Sequence, residues 1–327
     1  MNGQFFETAH GPHTVIAASS FLHFAKYAHD EDITAVCDEQ QALSFNEGRV
    51  FLGIQGGLGT FDPRPYLDKL PGFCQFMASK GQRIEFTFGD WKRWCPDLEE
   101  QKRLLHDVEW AILPYAAWAR IEGMNEGDNK DNYAAGIVNE QLDPAVLWCL
   151  GSRIQDAGTM VPVKRYGTYH PARSSDWPRK CGHNCMEVAA KHKIPCTSNE
   201  TKRPDEDGFK ASNFFDAAAN ASLLCAGACF HSQAGKASTR FSDQERACAE
   251  AWVAGATAVP LEFQRGSYTA GHLANSVVEY RPGKWSHARI LGNRACLSVP
   301  QNPDGWVTKN GWRIVSQDRT VIHLEKP

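Results

Sequence analysis

Short apolar strands alternate with amphipathic helices along most of this chain, and no other feature limits its fold as much. TVIAAS (14–19) precedes a helical DITAVCDEQQALSF (32–45), RVFLGIQG (49–56) precedes YLDKLPGFCQFMASKG (66–81), and RIEFTFGD (83–90) precedes a long amphipathic stretch over 98–123. GIVNEQ (136–141) reads as a fourth strand and VLWCLGSR (146–153) as a fifth, with almost no room for a helix between them. KRYGTYHP (164–171), KIPCTSNE (193–200) and ACFHSQ (228–233) follow as the sixth, seventh and eighth. Each of these leads into a helical stretch, at 183–193, 212–227 and 242–256.

Strands joined through helices pair in parallel, and eight of them predict an α/β fold of the closed (β/α)8 TIM-barrel type over residues 1–264. An open doubly wound sheet has the same local alternation but wants a phosphate-binding glycine signature. GIQGGLGTF (53–61) lacks the G-x-G-x-x-G order and runs into Asp62-Pro63 instead of a helix. Past residue 264 the texture changes. RGSYTAGH is loop-like; VVEYRP, ARILG, ACLSVPQ and the pair WRIVSQ and TVIHLEK suggest short antiparallel strands, and residues 265–327 are expected to form a small β-rich appendage packed on the barrel.

The chain has 327 residues, 42% of them hydrophobic and 22% charged, enough for a full-sized core. Its net charge of −3 offers no basic footprint, so neither nucleic acid nor an anionic membrane is an expected partner. No apolar run is long enough to span a bilayer. MNGQFFETAHGPHTVIAASSF lacks the charged start, apolar core and small-residue cleavage site of a secretory signal, so the expected location is cytoplasmic, or outside by a route without a classical signal. Eleven cysteines, mostly inside apolar segments such as SLLCAGACF, read as buried thiols with few or no disulfides.

In a barrel, function gathers at the C-terminal strand ends. GIVNEQ ends on Asn139-Glu140 and KIPCTSNE on Asn199-Glu200. Two glutamates ending the fourth and seventh strands would face each other across the mouth, the arrangement in which one carboxyl serves as acid/base and the other as nucleophile on a glycosidic bond. Either Asn-Glu pair alone reads equally as a solvated loop carboxylate. Together they point to a site.

On these motifs the chain resembles the clan of (β/α)8 retaining glycoside hydrolases whose acid/base glutamate follows an Asn after the fourth strand and whose nucleophile ends the seventh. ALSFNEGRVF (42–51) is similar to that clan's entry to the second strand. The resemblance implies that Glu140 is the acid/base with Asn139 beside it, that Glu200 is the nucleophile with Asn199 before it, and that Arg49 contacts the nucleophile. It implies an oligo- or polysaccharide substrate and no cofactor. Where the clan often has a His and then a Tyr on the sixth strand, Tyr169 precedes His170 here; where it often has a Trp on the eighth, Phe230 and His231 stand instead. His170 and His231 are therefore expected to contact substrate, and Trp91, in FGDWKRW, to supply the stacking surface.

A catalytic metal is not expected, because no His-x-His pair occurs on any strand. CGHNC (181–185) has no second matched pair at zinc-ribbon spacing and reads as a helix start with buried thiols. The rival to an enzyme is a non-catalytic glycan-binding or structural barrel, one that could belong to a larger particle such as a viral one.

Overall fold

The computed structural model describes residues 5–8, 11–151, 164–265, 267–270, 278–279, 287–299, 307–308 and 310–327. Eight strands form one parallel sheet: β1 (Val15–Ser19), β2 (Glu47–Phe51), β3 (Arg83–Thr87), β4 (Ala119–Glu122), β5 (Leu147–Cys149), β6 (Gly167–Tyr169), β7 (Cys196–Ser198) and β8 (Gly227–Phe230). They lie in the order β6-β7-β8-β1-β2-β3-β4-β5. The Arg165 N–H, just before β6, donates to Trp148 O of β5 at 3.1 Å, so the two ends of the sheet meet and close a barrel.

The period-two alternation of a strand sorts residues between the helices outside and the interior. Val50, Ile84, Phe86, Ala119, Ile121 and Trp148 face outward into a large apolar cluster with α1 (Thr34–Ala42), α2 (Leu70–Ser79) and α3 (Leu98–Ile112), the helices after β1, β2 and β3. Ile16, Ala18, Ala228 and Phe230 face α4 (Trp177–His192), α5 (Ala211–Leu224) and α6 (Asp243–Thr257), the helices after β6, β7 and β8. The alternate positions point inward and are polar: Glu47 and Arg49 on β2, Glu85 and Thr87 on β3, Arg120 and Glu122 on β4, Thr168 on β6, all buried. Branched apolar side chains usually fill such an interior. Here an ion-pair network does.

A hairpin of Phe6–Thr8 and Gly11–His13 crosses the N-terminal end of the barrel, where Phe6 packs on Tyr166 and over the Arg120 guanidinium. At the other end of the chain, Ser267–Ala270, His287–Leu291, Arg294–Ser298, Val321–Glu325 and Arg313–Asp318 make a five-stranded antiparallel sheet in that order. Cys296 and Val321 of that sheet join Phe215, Ala219 and Leu223 of α5 in one apolar cluster. The buried Arg289 donates from Nε to Leu223 O at 2.8 Å and from Nη2 to Leu224 O at 3.2 Å, satisfying the free carbonyls at the C-terminus of α5. All eleven cysteines are buried and unpaired. Among the described residues no helix is long and apolar enough to cross a membrane. The parts of VLWCLGSR, RGSYTAGH, VVEYRP and ACLSVPQ at 152–153, 266, 271–272, 277, 280–282 and 300–301 lie outside the described residues.

One strand is not where the sequence pattern put it. The amphipathic stretch 98–123 is not a single helix: α3 stops at Ile112, a 3-10 turn over Leu113–Tyr115 carries Pro114, and Ala119–Glu122 is the fourth strand. Proline cannot donate the next helical hydrogen bond, so it divides the run. GIVNEQ, expected as that strand, instead begins with a 3-10 turn (Ala135–Ile137) against the N-terminal half of α3, where Gly136 N–H donates to Gln101 Oε1 at 3.0 Å. A Cβ on Gly136 would overlap Leu98 O, which explains the glycine.

A second correction concerns Trp91. It is fully buried, stacked between Phe88 at 4.6 Å and Trp94 at 5.2 Å, and its Nε1–H donates to Gly123 O at 2.6 Å. It is a core residue beneath the mouth and offers no ring face to a sugar. Replacing it with alanine should cost about 3–5 kcal/mol of stability, the usual range for emptying such a site. Urea denaturation of Trp91→Ala checks this; a loss below about 1 kcal/mol would mean the stack is not a core element.

Candidate active site

Glu200 follows β7 and Glu126 follows β4, on opposite walls of the barrel, and both adopt left-handed backbone, with φ 46° and 47°. That conformation costs a non-glycine residue on the order of 1–3 kcal/mol and persists where the surroundings impose it. Around Glu126 the surroundings are hydrogen bonds that continue past the end of β4. Gly123 N–H donates to Cys149 O, Gly151 N–H to Met124 O and Gly127 N–H to Gly151 O, each at 2.8 Å. At the other strand end, Asn199 N–H donates to Tyr169 O at 2.8 Å. One oxygen of each carboxylate and one ring nitrogen of His170 lie within 4.8 Å of one another. His170 Nδ1 is 3.1 Å from Glu126 Oε1 and 3.7 Å from Glu200 Oε2, so the imidazole sits between the two carboxylates.

Beneath them, Arg49 is the hub. Its Nη1 donates to Glu200 Oε1 at 2.9 Å, its Nη2 to Asn125 Oδ1 at 2.8 Å and to Glu122 Oε2 at 2.6 Å, and its Nε to the same Glu122 oxygen at 3.0 Å. The guanidinium lies over the rings of Phe21 and Phe51. Glu122 is fixed in turn by Thr87 Oγ1 at 2.8 Å and Thr168 Oγ1 at 2.5 Å. Only glycine fits at 151, because a Cβ there would overlap Glu122 Oε1.

Burial opposes ionisation of Glu200, but the charges of His170 and Arg49 outweigh it and hold the carboxyl well below the usual carboxylate range. Burial likewise opposes charge on His170, and Glu200 with the hydrogen bond to Glu126 raises its pKa all the same. A second cation stands at the rim: Arg173 Nη2 is 3.9 Å from Glu200 Oε2, while its Nη1 is engaged by Glu206 at 3.1 Å. The site therefore holds one carboxylate committed to the ionised state and another paired with an imidazole.

No family model matches the chain, and no curated protein matches it by sequence. Solved structures do resemble it. An exo-β-1,4-mannosidase from an Opitutaceae bacterium superposes with a TM-score of 0.53 at 15% identity, over 78% of this chain and 61% of that one, so this chain spans less than two thirds of the mannosidase's length. A broad-specificity GH5-4 endoglucanase from Clostridium longisporum has a TM-score of 0.53 at 9% identity, over 76% and 97% of the two chains. A GH5_18 protein from Streptomyces cattleya, solved with Manb1-4GlcNAc, has a TM-score of 0.53 at 12% identity, over 75% and 79%.

The fold is that of the (β/α)8 glycoside hydrolases.

Within this glycosidase-type barrel the sequence-expected residues divide sharply. The structure brings Glu200, Arg49, His170 and His231 to one place. It does not bring Glu140 there. The Glu140 Oε2 is 2.9 Å from His106 Nε2 of α3, outside the barrel wall, and Asn139 is exposed beside it. The reason is the displaced fourth strand: the Asn-Glu pair that ends β4 is Asn125-Glu126, in IEGMNEG, and Asn139-Glu140 belongs to the turn against α3.

Asn199 is also turned away from the mouth. Its Nδ2 donates to Glu85 Oε2 at 2.9 Å inside the barrel, so it braces the strand end instead of facing a ligand. His231 directly follows β8, buried, with Nδ1 2.9 Å from Ser19 Oγ and its ring against Phe21. Burial pushes its pKa down to about 3, so it is neutral and can only donate or accept one hydrogen bond per nitrogen. Sequence reasoning missed Asn125, Glu126 and Glu122. Two signals were available: the proline inside the supposed 98–123 helix, and the alternation of charge with apolar residues in ARIEG.

Proposed function

We propose that the protein is a retaining glycoside hydrolase in which Glu126 is the acid/base and Glu200 the nucleophile. The observation that carries this reading is the pair of glutamates on opposite strand ends, each with one oxygen within 4.8 Å of the same imidazole nitrogen and of each other. Retaining enzymes hold their carboxyls about 5–5.5 Å apart, and inverting enzymes about 6.5–9.5 Å apart to admit a water.

In the first step the protonated Glu126 gives its proton to the departing glycosidic oxygen while a Glu200 oxygen attacks the anomeric carbon. The C–O bond to the leaving group breaks and a glycosyl ester forms on Glu200. In the second step the ionised Glu126 takes a proton from water, whose oxygen attacks the anomeric carbon and releases Glu200. Arg49 keeps Glu200 ionised and fixes which oxygen is free, because Oε1 is occupied at 2.9 Å. His170, against Glu126, is placed to stabilise that carboxylate once its proton has left.

Glu126, His170 and Glu200 also make a donor set of a size that could hold a divalent cation. The Arg49 guanidinium already occupies the electrostatic role beside Glu200, and a metal would have to sit against that charge. This favours acid/base chemistry over metal chemistry.

The resemblance to barrels described as a mannosidase and an endoglucanase makes β-linked mannans and glucans the first substrates to try. A reducing-sugar assay on such a panel, followed by NMR of the first-formed anomer, tests the reading. The expected product keeps the β configuration. An inverted product would reverse the mechanism, and binding without turnover across the panel would favour the glycan-binding barrel.

A further inference from the structure

The interior beneath the site holds more acid than base. Glu47, Glu85, Glu122 and Glu200 share it with two guanidiniums, Arg49 and Arg120. Arg49 is closest to Glu122 and Glu200, at 2.6 and 2.9 Å, and reaches Glu85 only at 3.6 Å through an Nε that already donates to Glu122. Arg120 Nη2 is 2.6 Å from Glu47 and 3.1 Å from Glu85. Each guanidinium thus has a nearer carboxylate, and Glu85 is the one left over. A carboxylate that only shares a guanidinium with a nearer rival is costly in a dry interior, a cost the group avoids by taking a proton.

We propose, building on the assignment of Glu200 as nucleophile, that Glu85 stands protonated in the barrel interior and is a positioning residue for Glu200. Its hydrogen bonds accept a proton with no heavy atom moving, once the Tyr166 hydroxyl turns its own hydrogen away from Glu85. Asn199 Nδ2 can only donate and holds Oε2 at 2.9 Å; Oε1 lies 3.1 Å from both Tyr166 Oη and Arg120 Nη2, and because Arg120 Nη2 gives its hydrogen bond to Glu47, Oε1 is the oxygen that takes the proton. The Tyr166 hydroxyl can accept that proton's hydrogen bond while donating its own toward the Cys149 thiol.

The groups facing Glu85 are Arg49 and Glu47 on β2, Arg120 and Glu122 on β4, Cys149 on β5, Tyr166 before β6, Asn199 after β7 and Cys229 on β8. Burial, with the repulsion of Glu122 and Glu47, prevails over Arg120 and Arg49 and raises its pKa to about 7. Protonation leaves Glu47, Glu122 and Glu200 against Arg49 and Arg120 and removes the competing charge 3.6 Å from Arg49, so Arg49 is not drawn away from Glu200. The Asn199 strut carries the position to the next residue, which is Glu200 itself.

Glu85→Gln mimics the protonated acid, and Glu85→Ala removes the strut. A carboxyl protonated in the folded state and released near its ordinary value in the unfolded chain makes stability fall as pH rises from about 4.3 through the folded value. Thermal melts at about pH 5 and about pH 8 should therefore show wild type losing stability relative to Glu85→Gln, which lacks that slope. A Gln variant less stable than wild type at both pH values, or one with the same slope, would overturn the protonated state.

For positioning, Glu85→Ala should lower kcat by roughly tenfold to a hundredfold with little change in KM, and Glu85→Gln should restore it to within about threefold. Wild-type kcat in the alanine variant, or no rescue by glutamine, would overturn that role. If wild type turned over no glycan at all, the proposed function would fail while the melts still decided the protonation.

Discussion

Glu200→Gln should lower kcat by on the order of 10⁴-fold or more while leaving the protein folded. The amide keeps the shape and can still accept from Arg49 Nη1, which sits 2.9 Å from Oε1, so the pocket does not collapse. What it loses is the charge. An amide oxygen cannot form the glycosyl ester, and the second step has nothing to hydrolyse. Arg49 remains paired with Glu122 at 2.6 Å, so the stability cost should be modest and circular dichroism unchanged. Because His170 and Arg49 hold Glu200 well below the usual carboxylate range, it stays ionised through mildly acidic solution. The acidic limb of a wild-type kcat/KM profile should then lie below the ordinary carboxylate range. Residual activity within about tenfold of wild type would remove Glu200 from the nucleophile's role.

The second large effect separates two glutamates in near-identical local sequences. Glu126→Ala should lose about 10²- to 10⁴-fold in kcat/KM on substrates with poor leaving groups and much less on an activated aryl glycoside, which departs without a proton. Azide should then rescue it. The intact Glu200 forms the glycosyl-enzyme, azide attacks from the face the leaving group vacated, and a β-linked substrate gives a β-glycosyl azide. In Glu200→Ala azide can only fill the space of the missing nucleophile, and the product is inverted. Glu140→Ala should stay within about twofold of wild type, since its carboxylate is paired with His106 outside the barrel. If Glu140→Ala instead lost activity and Glu126→Ala kept it, the assignment drawn from the geometry would be wrong.

The meeting of Arg49 and Glu200 was legible because their local sequences, FNEGRV and TSNE, begin or end clear apolar strands. The carboxylate that faces Glu200 was obscured by a neighbour. IEGMNEG (121–127) and GIVNEQ (136–141) both carry Asn-Glu, and the second has the more strand-like apolar run. Propensity favours it. Pro114 and the pairing of Ala119–Glu122 with β3 and β5 decide against it.

Trp91 misled for a related reason. An aromatic after a strand can equally be a platform or a plug, and the choice depends on neighbours distant in the chain. Here Gly123, beyond β4, accepts the indole N–H and draws the ring inward.

The alternation of strand and helix determined a parallel α/β sheet, the missing phosphate-binding glycine order turned it toward a closed barrel, and the short strands past residue 264 marked the antiparallel C-terminal sheet, because period-two and period-3.6 patterns are properties of the chain itself. Which carboxylates meet at the mouth was a matter of register. A strand end gains its partners only when it is paired across the barrel, and Glu126, His170 and Glu200 are brought together from β4, β6 and β7 by that closure alone. The charged interior belongs to the same class. Glu47, Arg49, Glu85, Arg120 and Glu122 read in sequence as polar positions of half-exposed strands, and closure of the sheet is what buries them against each other and leaves one carboxylate too many.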